Sequence, residues 1–311
     1  MEKLIVVLGP TAVGKTRLSI DLARWCGGEV ISGDSMLIYR GLDIGAAKPD
    51  LTERQGVVHH LVDILETTDD FSVTDFQKLA GEAISALNQA GKIPVLAGGT
   101  GLYLRALLEG YQFNTAAGDE KLRQRLTALA EEKGRQYLHD LLRERVPQAA
   151  ERLHPNDLRR VIRALEVHEL CGEEVSRDKA FPRQLLYDAA VIGLTMDRAV
   201  LYPRINQRVE LMLEQGLVEE VQGLLARGMT RNCQAMQGIG YKEIAAYLYG
   251  ETDLNTAAEK IKQVTRHFAK RQFTWYRQMP YVKWFDVEKY PDYDKMREAV
   301  CCQVAEILNL R

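Results

Sequence analysis

The sequence has 311 residues, 46% of them hydrophobic and 27% charged, with a formal net charge of −2. That is an ordinary globular balance, with enough chain for one large domain or two smaller ones. No apolar run approaches the roughly 18 residues of a membrane helix, and Glu2 leads straight into an apolar segment, so neither a membrane span nor a secretory leader is expected. Cys26, Cys171, Cys233, Cys301 and Cys302 show no CxxC spacing, which argues against zinc or a disulfide scaffold and for reduced cytosolic thiols.

Residues 4–8 form a short continuous apolar run, the pattern of a strand buried on both faces. A glycine-bearing turn leads into a predicted helix over 16–26, which Gly27 and Gly28 end. Further strands are predicted at 30–32, 93–97, 191–195 and 282–285. Between about 115 and 183 strand signal fades, and helices are expected at 120–132, 135–145 and 158–171; more follow at 203–214 and 257–277. Short strands alternating with helices imply an α/β fold with a mostly parallel sheet. The expected fold class is a P-loop NTPase-like parallel-sheet core with a helical insertion domain: core over 1–114, insertion over 115–190, and core again over 191–311.

Gly9, Pro10, Thr11, Ala12, Val13, Gly14, Lys15 and Thr16 match G-x-x-x-x-G-K-[ST] between a strand and a helix. Backbone amides converge on phosphate oxygens there, and the helix adds its N-terminal partial positive charge. Lys15 is suited to neutralise a terminal phosphate and Thr16 to ligate magnesium. The loop implies a di- or triphosphate without saying that it is ATP. Asp34 sits where the second strand runs out, on the edge where ligands bind in parallel sheets. It is either a magnesium ligand or general base, or a cap for a following helix; spacing leaves both open. A P-loop hydrolase would end its next buried strand on an acid. Here that strand runs into Gly98, Gly99 and Thr100, which weakens a hydrolase reading and favours Thr100 as a contact to diphosphate or acceptor.

From 257 to 283 there are seven basic side chains and one acidic one. Taken as a helix, 261–277 gathers Lys262, Arg266, Lys270 and Arg277 on one side, and Ile261, Val264, Phe268 and Trp275 on the other. Such a face either contacts phosphates or is simply solvated. Asn156 and Asp157 read as a helix cap followed by Arg159, Arg160 and Arg163, which could grip RNA or pair with Glu166 and its neighbours. Gly238, Ile239, Gly240 and Tyr241 read as a turn that lets backbone approach a ligand, and Gln237 could meet a base edge. His59 and His60 lack the spacing of a metal pair and are expected to be structural.

In order, GPTAVGKT (9–16), DSMLIY (34–39), DIGAAKP (43–49), HHLVDI (59–64), GGTGLY (98–103), HPNDLRRVIRALEV (154–167), GIGYKE (238–243) and AKRQFTW (269–275) closely resemble the bacterial tRNA dimethylallyltransferases over nearly the whole chain. The zinc finger that eukaryotic relatives append is not seen. The resemblance implies that the P-loop holds dimethylallyl diphosphate and that the acceptor is the exocyclic amine of the adenine 3′ to the anticodon. It implies Asp34 as general base, Thr100 as a catalytic-site contact, and Lys15 and Arg204 as diphosphate ligands with Mg2+ at Thr16. Implied tRNA contacts are Asp34, Ser35, Met36, Leu37, Thr100, Arg123, Asn156, Asp157, Arg159, Arg160, Arg163, Gln237, Gly238, Gly240, Tyr241, Arg266, Lys270 and Arg271, in a cytoplasmic, monomeric enzyme. The rivals are an adenylate isopentenyltransferase, a small-molecule P-loop kinase and a non-enzymatic RNA-binding switch. The helical insertion and HPNDLRR argue against a small acceptor.

Overall fold

A computed structural model describes residues 1–113, 118–172 and 184–310. Two compact units result: Met1–Gly110 with Arg183–Arg311, and Tyr111–Pro182. The expected insertion start at 115 lies outside the described residues. In chain order the elements are β1 (Lys3–Leu8), α1 (Lys15–Cys26), β2 (Val30–Ser32), α2 (Leu51–Arg54), β3 (His59–His60), α3 (Val73–Gln89), β4 (Val95–Gly98) and α4 (Gly101–Glu109). Next come α5 (Glu120–Lys133), α6 (Arg135–Arg145), α7 (Pro147–Arg152) and α8 (Leu158–Cys171). The chain then adds β5 (Asp188–Thr195), α9 (Arg198–Glu214), α10 (Leu217–Ala226), α11 (Tyr241–Leu248), α12 (Leu254–Tyr276), β6 (Lys283–Asp286) and α13 (Tyr293–Leu308).

Among the described residues the strands form one sheet, ordered β3-β2-β4-β1-β5-β6, with every pairing parallel. The apolar run of β1 lies inside it because both faces are covered. Leu4, Val6 and Leu8 join one core with Phe76 and Leu104, while Ile5 and Val7 join another with Leu18, Leu22 and Val300. Because all strands run the same way, the segments leaving β1, β2 and β4 share one edge, where ligands bind in such sheets.

Several boundaries differ from expectation, and for β5 and α9 the physical reason is plain. β5 starts at Asp188, ahead of its apolar run, because Asp188 pairs with Lys3 of β1 and its amide bonds to the Glu2 carbonyl. α9 starts at Arg198, so Pro203 lies inside it; the start is set by Asp197, whose carboxylate accepts the Ala199 amide at 2.7 Å. Pro203 therefore costs the helix one amide donor without breaking it.

In the helical unit, α5, α6, α7 and α8 enclose Leu122, Leu126, Leu138, Leu142, Val161 and Leu165. Pro147 begins α7, where its missing amide costs nothing. His139, buried on α6, holds the end of α7 through its Nε2, 2.7 Å from the Leu153 carbonyl oxygen.

Candidate active site

The phosphate loop lies between β1 and α1. At Gly9, φ is +150°, and a Cβ would fall 2.7 Å from the Leu194 carbonyl oxygen, so the chain can leave β1 this way only with glycine. Ala12 takes a left-handed conformation, φ +65°, that L-residues adopt at a cost. The Lys15 ammonium donates to the Pro10 carbonyl at 2.7 Å, closing the loop over itself. A buried glutamine that sequence reading did not single out props this loop. Gln272, 3% exposed on α12, accepts the Thr11 amide at 2.9 Å and donates to the Gly99 carbonyl at 2.8 Å. Tyr276 donates to that same carbonyl at 2.9 Å, so α12 braces both the loop after β1 and the loop after β4.

Asp34 leaves β2 toward this edge. Its Oδ1 accepts the Met36 amide at 2.8 Å, and no helix follows until α2, so Asp34 steadies a tight turn and caps no helix. The Thr100 hydroxyl accepts the Ser35 amide at 3.2 Å and lies 3.4 Å from the Ser35 hydroxyl, tying the ends of β2 and β4 together. Two cavities meet here. The smaller, about 110 Å³, is walled by Lys15, Thr16, Ser32 and Leu37. The larger, about 320 Å³, is walled by Met36, Thr100, Phe268 and Gly240. Thr11, Asp34, Ala46, Ala47 and Arg208 line both.

Arg208 is the main residue that sequence reading missed, although it stands one helical turn beyond the Arg204 chosen instead. Arg204 is exposed on α9, with its guanidinium 3.6 Å from the Met196 sulfur, and it lines neither of these two cavities. It reaches an outer cleft of about 850 Å³, which Lys15, Thr16 and Arg208 also line. The i,i+4 spacing of Arg204 and Arg208 on one helix was the signal that both could face the loop. Burial pushes the Lys15 ammonium down to about 7, with Arg208 adding to the fall and Asp34 opposing it. Burial also lowers the Arg208 guanidinium, opposed by Asp34 and Glu53. Neither cation makes an ion pair with a carboxylate among the described residues. Two cations that line one cavity, with no carboxylate bound directly to either among the described residues, make an anion site.

On α12 the buried face is Ala257, Ile261, Ala269, Gln272, Phe273 and Tyr276. Val264, Phe268 and Trp275, expected on the packed side, are half-buried, and Phe268 walls the larger cavity. The cationic side is also uneven. Lys262 is 12% exposed and bound to Glu210 and Glu259, and Arg266 donates to Asn206 at 2.6 Å. Lys270 and Arg271 are exposed, and Arg271 reaches the larger cavity. In the turn before α11, Gln237, Gly238 and Gly240 line that cavity, whereas Tyr241 is 0% exposed and works beneath the surface.

In the helical unit, Asp157 occupies the expected cap position of α8, yet its carboxylate pairs with Arg160 at 3.4 Å and makes no cap hydrogen bond. Arg163 and Arg123 both turn onto Glu166, at 2.6 Å and 2.8 Å. Glu166 is 0% exposed and also accepts the Asp119 amide at 2.8 Å. Arg159 and Asn156 remain exposed.

The chain matches the family model for IPP transferase over residues 37–279. It is 50% identical to a tRNA dimethylallyltransferase of Geobacillus thermodenitrificans over 92% of this chain and 91% of that protein. It is 51% identical to one of Bacillus cereus, over 92% and 90%. Among solved structures, the full-length tRNA isopentenylpyrophosphate transferase of Bacillus halodurans is 44% identical, with a TM-score of 0.74 over 100% of this chain and 99% of that one. A eukaryotic dimethylallyltransferase crystallised acting on tRNA is 30% identical, with a TM-score of 0.83 over 99% and 80%. The chain belongs to the IPP transferase family.

Proposed function

We propose that this chain transfers a dimethylallyl group from dimethylallyl diphosphate to the exocyclic amine of the adenine 3′ to the anticodon in tRNA, releasing diphosphate. One observation carries the reading: Lys15 and Arg208, which make no ion pair among the described residues, line the smaller cavity together with Asp34, and Asp34 and Arg208 also wall the larger one. The diphosphate occupies the smaller cavity, held by the loop amides from Ala12 to Thr16, by Lys15 and by Arg208. Arg204 guards the outer cleft. The dimethylallyl chain and the adenine meet in the larger cavity, among Met36, Ile239 and Phe268.

The amine nitrogen forms a bond to the allylic carbon as the carbon–oxygen bond to diphosphate breaks, and the diphosphate departs with that electron pair. An adenine amine is a weak nucleophile, because its lone pair is delocalised into the ring. Asp34 accepts its proton, held in place by the Met36 amide, a general-base contribution typically worth about 10²–10⁴-fold. Thr100 steadies the turn that carries Asp34. The fixed cations stabilise charge on the leaving group, because they are in place before it develops. A magnesium ion fits at the exposed Thr16 hydroxyl; when bound it would neutralise diphosphate charge. Its remaining ligands would be diphosphate oxygens and water, since the described residues hold no cluster of three or more metal-ligating side chains.

The base leaves its stack to enter the cavity, which an anticodon loop allows at less cost than a duplex. Ser35, Leu37, Gln237, Gly238, Arg266, Lys270 and Arg271 contact the RNA from the α/β unit. Asn156, Asp157, Arg159 and Arg160 contact it from the helical unit, aided by the exposed faces of Arg123 and Arg163. The test is incubation with labelled dimethylallyl diphosphate and unmodified tRNA, followed by nucleoside analysis. Label on the adenosine next to the anticodon is the expected result. Equal turnover of free AMP would replace this reading with an adenylate isopentenyltransferase, and phosphate transfer from ATP to a metabolite would replace it with a kinase.

A further inference from the structure

One carboxylate beside the site is bound by backbone amides and a hydroxyl. Glu220, on α10, is aimed at the loop over 43–49. One of its oxygens accepts the amides of Asp43 at 3.2 Å and Ile44 at 2.7 Å, and the other accepts the Gly45 amide at 3.1 Å. That second oxygen also accepts the Tyr241 hydroxyl at 2.7 Å, and the Tyr241 oxygen accepts the Ala46 amide at 3.0 Å. Four successive amides, 43 to 46, thus end on two side chains. Consecutive amides that converge like this make an anion-binding hollow; in this protein the anion is one of its own carboxylates.

The loop also rests on the tyrosine. A Cβ on Gly45 would lie 2.6 Å from Cζ of Tyr241, so the backbone sits directly on the ring. The far end is pinned by Lys48, whose side chain is 4% exposed and donates to the Tyr39 carbonyl at 3.0 Å and to Asp43 at 2.6 Å. The amides held this way belong to residues that shape the reaction space. Gly45 lines the larger cavity, Ala46 and Ala47 line both, and Gly240, the neighbour of Tyr241, lines the larger one as well.

We propose that Glu220, acting with Tyr241, is a positioning residue for the prenyl transfer. It fixes the 43–46 backbone as the wall against which donor and acceptor are aligned beside Asp34. The inference rests on the function proposed above. Misplacing reacting groups by about an ångström costs on the order of 10²-fold in rate. A loosened wall therefore lowers kcat more than it raises KM for the donor, and it leaves tRNA affinity alone.

The test compares Glu220→Gln, Tyr241→Phe and the double variant with the wild-type enzyme, using dimethylallyl diphosphate and an anticodon stem-loop. Glutamine keeps the size of the side chain but sets an N–H donor against backbone N–H donors, whichever way the amide turns. The expected result for Glu220→Gln is a kcat about 10–10²-fold lower per folded molecule, with an unchanged stem-loop Kd. Tyr241→Phe should lose less, and the double variant should fall short of the product of the single losses, because the two side chains act as a unit. Glu219→Gln, exposed on the same helix, should match the wild type. Wild-type kcat in Glu220→Gln, or a loss fully explained by its unfolded fraction, overturns the inference alone. A wild-type chain that transfers no prenyl group overturns the functional reading as well.

Discussion

In the helical unit the buried charge is Glu166, and the protein itself surrounds it with Arg123, Arg163 and the Asp119 amide. In the α/β unit the comparable charges are Lys15 and Arg208, and no carboxylate pairs with them among the described residues. Burial lowers both, Arg208 lowers Lys15 further, and Asp34 opposes the fall of each. A buried charge that is fully paired holds structure together, whereas two like charges left unpaired store an attraction for something the protein lacks. The helical unit is therefore finished when it folds, and the α/β unit is finished by an anionic ligand.

Asp34→Ala gives the largest effect expected on this contrast. Transfer in single-turnover assays should fall by at least about 10²-fold with tRNA binding largely kept, because the proton acceptor is lost while the phosphate contacts and the other RNA contacts remain. Arg208→Ala comes next. It removes one of the two unpaired cations, so the rate at saturating donor should drop by about 10²-fold. Arg204→Ala should lose distinctly less, because its guanidinium lies outside both inner cavities. Equal losses for the two arginines would erase the distinction between inner and outer cation.

The phosphate loop, the strands that run out at the site and the helical stretch were all legible in the sequence, because each is written locally. An apolar run entering G-x-x-x-x-G-K-T can form little else, and helical periodicity survives without knowledge of partners. What could not be read was long-range pairing. Gln272 looked like one polar residue in a basic helix, and only the fold brings it 2.9 Å from the Thr11 amide. Glu220 gave no signal at all, yet it binds amides far away in the chain. For Arg163 the spacing left RNA contact and pairing with Glu166 both open, and for Arg123 nothing local pointed to Glu166; only the fold shows that carboxylate held between the two. β3 was missed because a two-residue edge strand leaves no periodic trace.

Arg123→Met sharpens the other half of the comparison. It strips one cation from a carboxylate that stays buried, so the unfolding free energy of the helical unit should fall by about 1–3 kcal/mol, read from urea denaturation. Transfer at low temperature and saturating tRNA should change little. The same cluster sets a pH dependence. Burial raises the Glu166 carboxyl, but the hydrogen bonds from Arg163, Asp119 and Arg123 outweigh it and hold it below the ordinary carboxylate value. Its stabilisation is therefore fully present above the unfolded value of about 4.3 and is lost as pH falls through the lower folded value. Arg123→Met should bring that loss to a higher pH, and an unshifted acid transition would show that Arg123 does not hold the carboxylate.

The smallest effect concerns cations that are neither buried nor paired. Lys270 and Arg271 are exposed on α12, while Lys262 on the same helix is already neutralised by Glu210 and Glu259. Phosphate contacts act through release of counterions from the RNA, so each lost contact should lower the dependence of log Kd on log salt by about 0.7 for a single strand. Lys270→Gln should weaken tRNA binding a few-fold, flatten the salt slope by about that amount and leave kcat unchanged. Lys262→Gln should leave the slope as it is, because its charge is spent within the protein. If Lys262→Gln flattened the slope as much as Lys270→Gln, internal pairing would not predict which cations serve a ligand. The contrast between paired and unpaired charge would then fail at the surface, even if it held in the interior.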